Sequence, residues 1–310
     1  MTEMSAPAPG DATPAEPLAN SGGVVSAILA AARPAQWVKT LVLPLPFLFG
    51  GALGEPAGWA LAAAGFAIFC VITSGVYIVN DVADRERDRA HPVKKFRPLA
   101  SGRLSASTAV SVAAVLETAG LGAAFLLKRE FGFWCAVYAV LMLTYSLLWK
   151  RVPFLEALVV AAGMPLRALA GAALAGVDPS LFLMGCAYLL ALFLVAGKRQ
   201  WEFLNAAPGH RPALAAYREE GLDHLFIVTG LATVAAYAAY STSARTLTHY
   251  GRSLAPTVPF VVLGIARYVR LVYKRGGGGN PTRALLTDDP WLLLIVIGWV
   301  ATAGWMIYGR

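Results

Sequence analysis

The sequence predicts an all-α integral membrane protein, a bundle of about nine transmembrane helices. Three observations predict it. Of 310 residues, 57% are hydrophobic and 14% charged, a balance that belongs to polytopic membrane proteins rather than soluble ones. Apolar segments of about 20 residues, the length needed to cross the hydrocarbon, recur along the chain. No hydrophilic stretch is long enough to form a separate soluble domain, so residues 23–310 read as one polytopic helical membrane domain.

In chain order, residues 1–22 are Ala/Pro-rich and lack a basic start. They read as a disordered tail rather than a signal peptide. Residues 23–32 suit a short interfacial helix before Pro34. Candidate spans follow at about 36–54, 58–79, 106–128, 131–149, 155–175, 180–197, 223–241, 255–273 and 291–308. Two prolines, Pro44 and Pro46, interrupt the first, and the last is the clearest. The loops after spans 2, 4, 6 and 8 hold sixteen Lys or Arg, against four in the remaining loops (Lys128, Arg129, Arg245 and Arg252). The positive-inside bias therefore places the charged loops and the N-terminus in the cytoplasm. It also accounts for most of the net charge of +8. No aromatic-basic module points to nucleic acid. Cys70, Cys135 and Cys186 fall in spans without CxxC spacing and read as packing residues.

The densest chemistry runs from Asn80 to Arg103, NDVADRERDRAHPVKKFRPLASGR, with four acids and eight Lys, Arg or His residues directly after an apolar span. Asp81, Asp84 and Asp88 stand at i, i+3 and i+7, one face of a helix. Topology gives basic residues a reason to be there but gives none for the acids. Carboxylates sharing a face repel unless a cation sits between them. Mg²⁺, held by a few carboxylates together with substrate phosphate oxygens, meets that need. The basic run behind them, Arg89, Lys94, Lys95, Arg97 and Arg103, suits the phosphates, and His91 before Pro92 suits a shaped loop. The stretch reads as a diphosphate site at a membrane surface.

A second cluster, Lys198, Arg199 and Glu202 in GKRQWEF, ends span 6 on the same membrane side. Arg199 and Glu202 have the spacing of a simple pair, and the two cations suit positive-inside placement; between the two clusters a pocket would have an acidic and a basic wall. Arg167 lies halfway along span 5, where a charge costs about 2.5–3.5 kcal/mol. Its small neighbours Gly163, Ala168 and Gly171 suggest a packed interface beside a polar cavity. Lys39 and Lys150 each close an aromatic-containing turn on the cytoplasmic side, with Trp37 and Trp149 as interfacial anchors. Gly276–Gly279 reads as a flexible linker, and Asp288 and Asp289 as caps for the last helix.

With these motifs in hand, NDxxDxxxD followed by HPxKxxRPxxSG resembles the UbiA-type superfamily of membrane prenyltransferases. Most of that superfamily carries a second aspartate-rich motif after its sixth span, where this chain has GKRQWEF. Joined to RPAQWVK, LRALAGA and NPTRALLTDDPWL, that replacement resembles the decaprenyl-phosphate phosphoribosyltransferase branch. Thr40, Arg218 and Arg283 depart from the branch pattern. The resemblance implies Mg²⁺ at Asp81, Asp84 and Asp88, and substrate contacts at Lys39, Asn80, Lys94, Arg97, Tyr145, Lys150, Arg167, Lys198, Arg199 and Glu202. The implied partners are phosphoribosyl pyrophosphate and a polyprenyl phosphate in the cell membrane, and a homo-oligomer is compatible with it. Two rivals are a prenyltransferase acting on an aromatic acceptor, which would need the second acidic cluster, and a lipid or small-molecule transporter, which would favour internal repeats and broken helices.

Overall fold

The computed structural model describes residues 23–50, 56–152, 154–205, 219–274 and 279–309. The tail 1–22 and most of the Gly276–Gly279 stretch lie outside them. Among the described residues every regular element is helical. Eight helices among the described residues are long and apolar enough to cross a membrane, so the chain is a multi-pass membrane protein.

The chain opens with α1 (Val24–Ala32) and a 3₁₀ segment, Pro34–Val42, followed by the short α2 (Leu45–Phe49). This is where the count departs from nine. The expected span at 36–54 is not one continuous helix. Pro34, Pro44 and Pro46 remove backbone donors and favour separate helical starts, so the segment folds as a bent arm against the bundle. Between α1 and the arm, Arg33 takes the left-handed conformation with φ of 55°, which turns the chain and aims its side chain at α3.

α3 (Pro56–Arg89) is the organising element. Its 34 residues make a rod about 51 Å long, against about 30 Å of hydrocarbon. The surplus is its charged end. Arg, Glu and Ala are strong helix formers, and the i, i+3 pairs Arg87–Asp84 and Arg89–Glu86 extend the helix beyond its apolar run. The aspartate motif is thereby carried out of the bilayer on a continuous helix.

The bundle continues with α4 (Ala106–Leu127), α5 (Arg129–Leu147), α6 (Leu155–Ala175) and α7 (Leu181–Asn205). It closes with α8 (Glu219–Thr242), the short α9 (Ala244–Tyr250), α10 (Val258–Tyr273) and α11 (Pro290–Tyr308). Successive long helices pack as antiparallel neighbours: α3 on α4, α4 on α5, α5 on α6, α6 on α7 and α7 on α8. α3 and α6 are the most enclosed, whereas α4, α10 and α11 face mainly outward and present their apolar side chains to lipid. One core cluster joins Phe47, Phe69, Phe131, Tyr138 and Leu174, and a second joins Phe193, Phe226 and Tyr268.

Two contacts seat the arm. Trp37 Nε1 donates to Ser74 Oγ at 3.1 Å, so this tryptophan ties the arm to α3 instead of anchoring at the interface. At Gly171 a Cβ would run into the Leu43 carbonyl, so α6 admits the arm only because no side chain stands there. All three cysteines are buried and unpaired, as packing residues should be. In the connection before α11, Asp289 caps that helix through the Trp291 N–H, while Asp288 pairs with Arg283 at 3.1 Å. The hydrogen bonds from Arg267 to Asp289 hold its carboxyl below the usual carboxylate range.

Candidate active site

Asp81, Asp84 and Asp88 occupy the exposed end of α3 and share one side, as their spacing requires. Asp81 is only 2% exposed, and burying a carboxylate demands partners. It has two, Arg33 from the turn after α1 and Arg97 from the loop after α3. Arg97 Nη1 lies 3.2 Å from Asp81 Oδ1 and 2.6 Å from Asp88 Oδ2. Asp84 turns instead to Lys150 Nζ at 2.8 Å and to Arg87. Asn80 stands half-buried one residue ahead.

The loop 90–104 holds its shape by local bonds. His91 Nδ1 accepts from the N–H groups of Val93 and Lys94 at 3.1 and 3.2 Å, which is the loop-shaping role its place before Pro92 suggests. Arg103 donates to the Phe96 carbonyl at 3.2 Å and Arg89 to the Ala100 carbonyl at 3.3 Å. These contacts position Lys94 and Arg97 around the acidic helix end.

The second cluster has a member that the sequence did not point to. Glu156, in the first turn of α6 and 2% exposed, receives Arg199 Nε at 2.6 Å and Nη2 at 2.8 Å. Arg199 Nη1 also reaches Glu202 at 2.7 Å, and Lys198 Nζ stands 4.0 Å from the same residue. The expected basic wall is therefore an ion-paired one, because Glu156 comes from a neighbouring helix to meet Arg199. Tyr145, near the end of α5, is close enough to Arg199 to interact electrostatically. Lys150 and Glu156 flank the turn from α5 to α6, so that turn contributes to both clusters.

Deeper in the bundle lies a third charged group. Arg167, 6% exposed, donates to the Gly163 carbonyl at 2.8 Å and to Tyr138 Oη at 2.7 Å. Its guanidinium lies 4.7 Å from the Tyr138 ring centre and 5.7 Å from that of Phe69, and its buried Nε has no acceptor. The charged groups acting on Lys39, on the arm, are Arg167 and Arg33. Both are cations. Arg33 has Asp81 as its partner, but no ion pair to Lys39 or Arg167 is seen among the described residues, and a cation at membrane depth is costly unless an anion balances it.

Among the described residues no three His, Cys, Asp or Glu side chains gather as a ready metal cage. The three aspartates share a face but do not converge on one point, since Asp84 has turned to Lys150. Their chemistry still fits a hard divalent cation. The donors are all carboxylate oxygens, and Asp81 and Asp88 already close on one positive nitrogen, the place a metal would take. Phosphate oxygens would complete the coordination, as Mg²⁺ sites commonly require.

A bundle of membrane-crossing helices, with an acidic helix end beside an ion-paired wall and the half-buried Lys39 and buried Arg167 below them, is a multi-pass membrane protein with a charged site at one end. The description UbiA prenyltransferase family matches residues 41–287, and the chain belongs to that family. It is 33% identical over 285 residues to the decaprenyl-phosphate phosphoribosyltransferase of Corynebacterium glutamicum, covering 88% of this chain and 84% of that one. To the protein of the same name from Mycolicibacterium smegmatis it is 31% identical, covering 92% and 93%. The fold matches a UbiA homolog from Archaeoglobus fulgidus bound to GPP and Mg²⁺, with a TM-score of 0.66, 17% identity and coverage of 91% and 99%.

Proposed function

We propose that this protein transfers the 5-phosphoribosyl group of phosphoribosyl pyrophosphate to a polyprenyl phosphate, decaprenyl phosphate being the acceptor suggested by the relatives' names, and releases pyrophosphate. The observation that carries the reading is the Glu156–Arg199–Glu202 triad. Moving an isoprenoid from its diphosphate to an aromatic acceptor calls for a second acidic wall open to metal, and here that wall is closed by an internal cation. Similarity to phosphoribosyltransferases over most of the chain agrees with it.

In this reading Asp81, Asp84 and Asp88 would hold Mg²⁺ together with the diphosphate. When bound, Mg²⁺ supplies neutralisation of the charge that builds on the leaving pyrophosphate. Arg33, Arg97 and Lys150, the present partners of these carboxylates, would bind the diphosphate oxygens, a change of partner that the partial exposure of Arg33 and Arg97 permits. Asn80 and Lys94 line the same end. Lys39 and Arg167 balance a phosphate that the metal does not reach, and Tyr145, Lys198, Arg199 and Glu202 form the opposite wall. The ribose C1–O bond to pyrophosphate breaks and a C1–O bond to the lipid phosphate forms, with inversion at C1. The attacking phosphate is already ionised at neutral pH, so no side chain has to remove a proton. The site faces the cytoplasm, where the charged loops lie.

The test is mass spectrometry of lipid extracts after incubating purified protein with phosphoribosyl pyrophosphate, decaprenyl phosphate and Mg²⁺. A phosphoribosylated lipid that requires Mg²⁺ is the expected product. Activity appearing instead on a prenyl diphosphate with an aromatic acceptor would overturn the reading, as would lipid movement without product.

A further inference from the structure

Two pairs of carboxylates close on guanidinium groups at the same end of the bundle, and the two cations are held very differently. Asp81 and Asp88 meet at Nη1 of Arg97, whose side chain is 28% exposed and comes from the loop beyond α3. Arg33, the other partner of Asp81, is 24% exposed and comes from the turn after α1. Neither cation belongs to the helix that bears the acids, and both can move into water when something replaces them.

Arg199 cannot. Its side chain is 9% exposed and that of Glu156 3%. Its Nε and Nη2 give Glu156 a bidentate pair of bonds at 2.6 and 2.8 Å, and its Nη1 reaches Glu202 at 2.7 Å. Glu202 lies one turn along the same helix, so the cation is covalently tethered to one acid and forked onto the other. A bidentate, charge-assisted pair of this kind is the strongest that side chains make. Displacing it would leave a guanidinium desolvated and without a carboxylate. A divalent cation arriving at this wall finds its oxygens already neutralised.

We propose that Arg199 serves Glu156 and Glu202 as a built-in replacement for a divalent cation, so that the chain holds one metal ion, at the aspartate motif, and keeps Glu156–Glu202 as a latent second site that Arg199 blocks. The inference rests on the metal reading of Asp81, Asp84 and Asp88 given above, and it fixes the number of ions in that reading. It also assigns Glu156, through Arg199, to positioning the wall opposite the diphosphate rather than to binding metal.

The experiment is a count of bound Mn²⁺ per chain by electron paramagnetic resonance on purified full-length protein, with Mn²⁺ alone and with inorganic pyrophosphate added. The wild type should bind one ion, and Asp81→Asn with Asp88→Asn should bind none. Arg199→Met should bind two, and Arg199→Met with Glu156→Gln should return to one. Two ions on the wild type, one of them lost in Glu156→Gln, would overturn the inference while leaving the aspartate site intact. So would a folded Arg199→Met protein, checked by its thermal unfolding, that still binds one. Should Arg199→Met fail to fold, Arg199→Gln, which keeps hydrogen-bond donors without the charge, is counted in its place with the same two expected outcomes. No Mn²⁺ on the wild type, with or without pyrophosphate, would remove the metal reading itself.

Discussion

At the residue scale, the aspartates and Glu156 separate two kinds of buried acid. Asp81 is enclosed, but its partners Arg33 and Arg97 come from outside α3 and are partly exposed, so its loss should spare the fold. Asp81→Asn should lower kcat on the order of 100-fold or more, as the loss of a group that stabilises the leaving charge does. The protein should remain folded in detergent by size-exclusion profile, and near-normal turnover would remove the residue from the metal site. Glu156 should behave in the opposite way. Glu156→Leu leaves Arg199 buried with half its partners, which should cost about 3 kcal/mol of stability. The double variant Glu156→Leu with Arg199→Met should recover most of it, because an apolar pair is tolerated where a lone charge is not. Thermal unfolding of the two variants side by side reads this directly. The sequence made the aspartates legible because three acids with helical spacing have no topological excuse. Glu156 was not legible, since one acid in the first turn of a span looks like an ordinary dipole partner. Only the packing of α6 on α7 shows that it meets Arg199.

At the element scale, most helices were readable from apolar length alone, and their observed ends fall close to the expected ones. The exceptions have physical causes. The arm from Pro34 to Phe49 has the apolarity of a span, but its prolines prevent one regular helix, and hydropathy does not register that difference. α3 and α7 outrun their apolar windows because charged residues with good helix propensity continue the backbone ladder into water. The arm matters because it carries Lys39 beside Arg167 and depends on the bare surface of Gly171. Gly171→Val should push the Leu43 carbonyl away, lower stability by about 1–3 kcal/mol as overpacking does, and raise KM for an anionic substrate by displacing Lys39. A Tm drop with unchanged KM values would mean that the arm's position is irrelevant to binding.

At the scale of the whole molecule, the arrangement is polarised. The aspartate motif, the Arg199 triad and the loops richest in Lys and Arg all lie at one end of the bundle, and the turn from α5 to α6 joins them. The other end carries the α6–α7 turn and the α8–α9–α10 connection, with Arg245, His249 and Arg252 exposed. Charge bias alone indicates which end faces the cytoplasm, and it fits a reaction whose donor is a water-soluble sugar diphosphate and whose acceptor tail stays in the bilayer. Two exposed positions allow a clean test: Val93, 72% exposed in the loop after α3, and Thr248, exposed on α9. The native cysteines are all buried, so they should react slowly with a bulky, membrane-impermeant maleimide. In intact cells Thr248→Cys should label readily and Val93→Cys only after the membrane is opened. The reverse pattern would put the aspartate motif outside the cell, away from any supply of phosphoribosyl pyrophosphate, and would overturn both the orientation and the donor in one measurement.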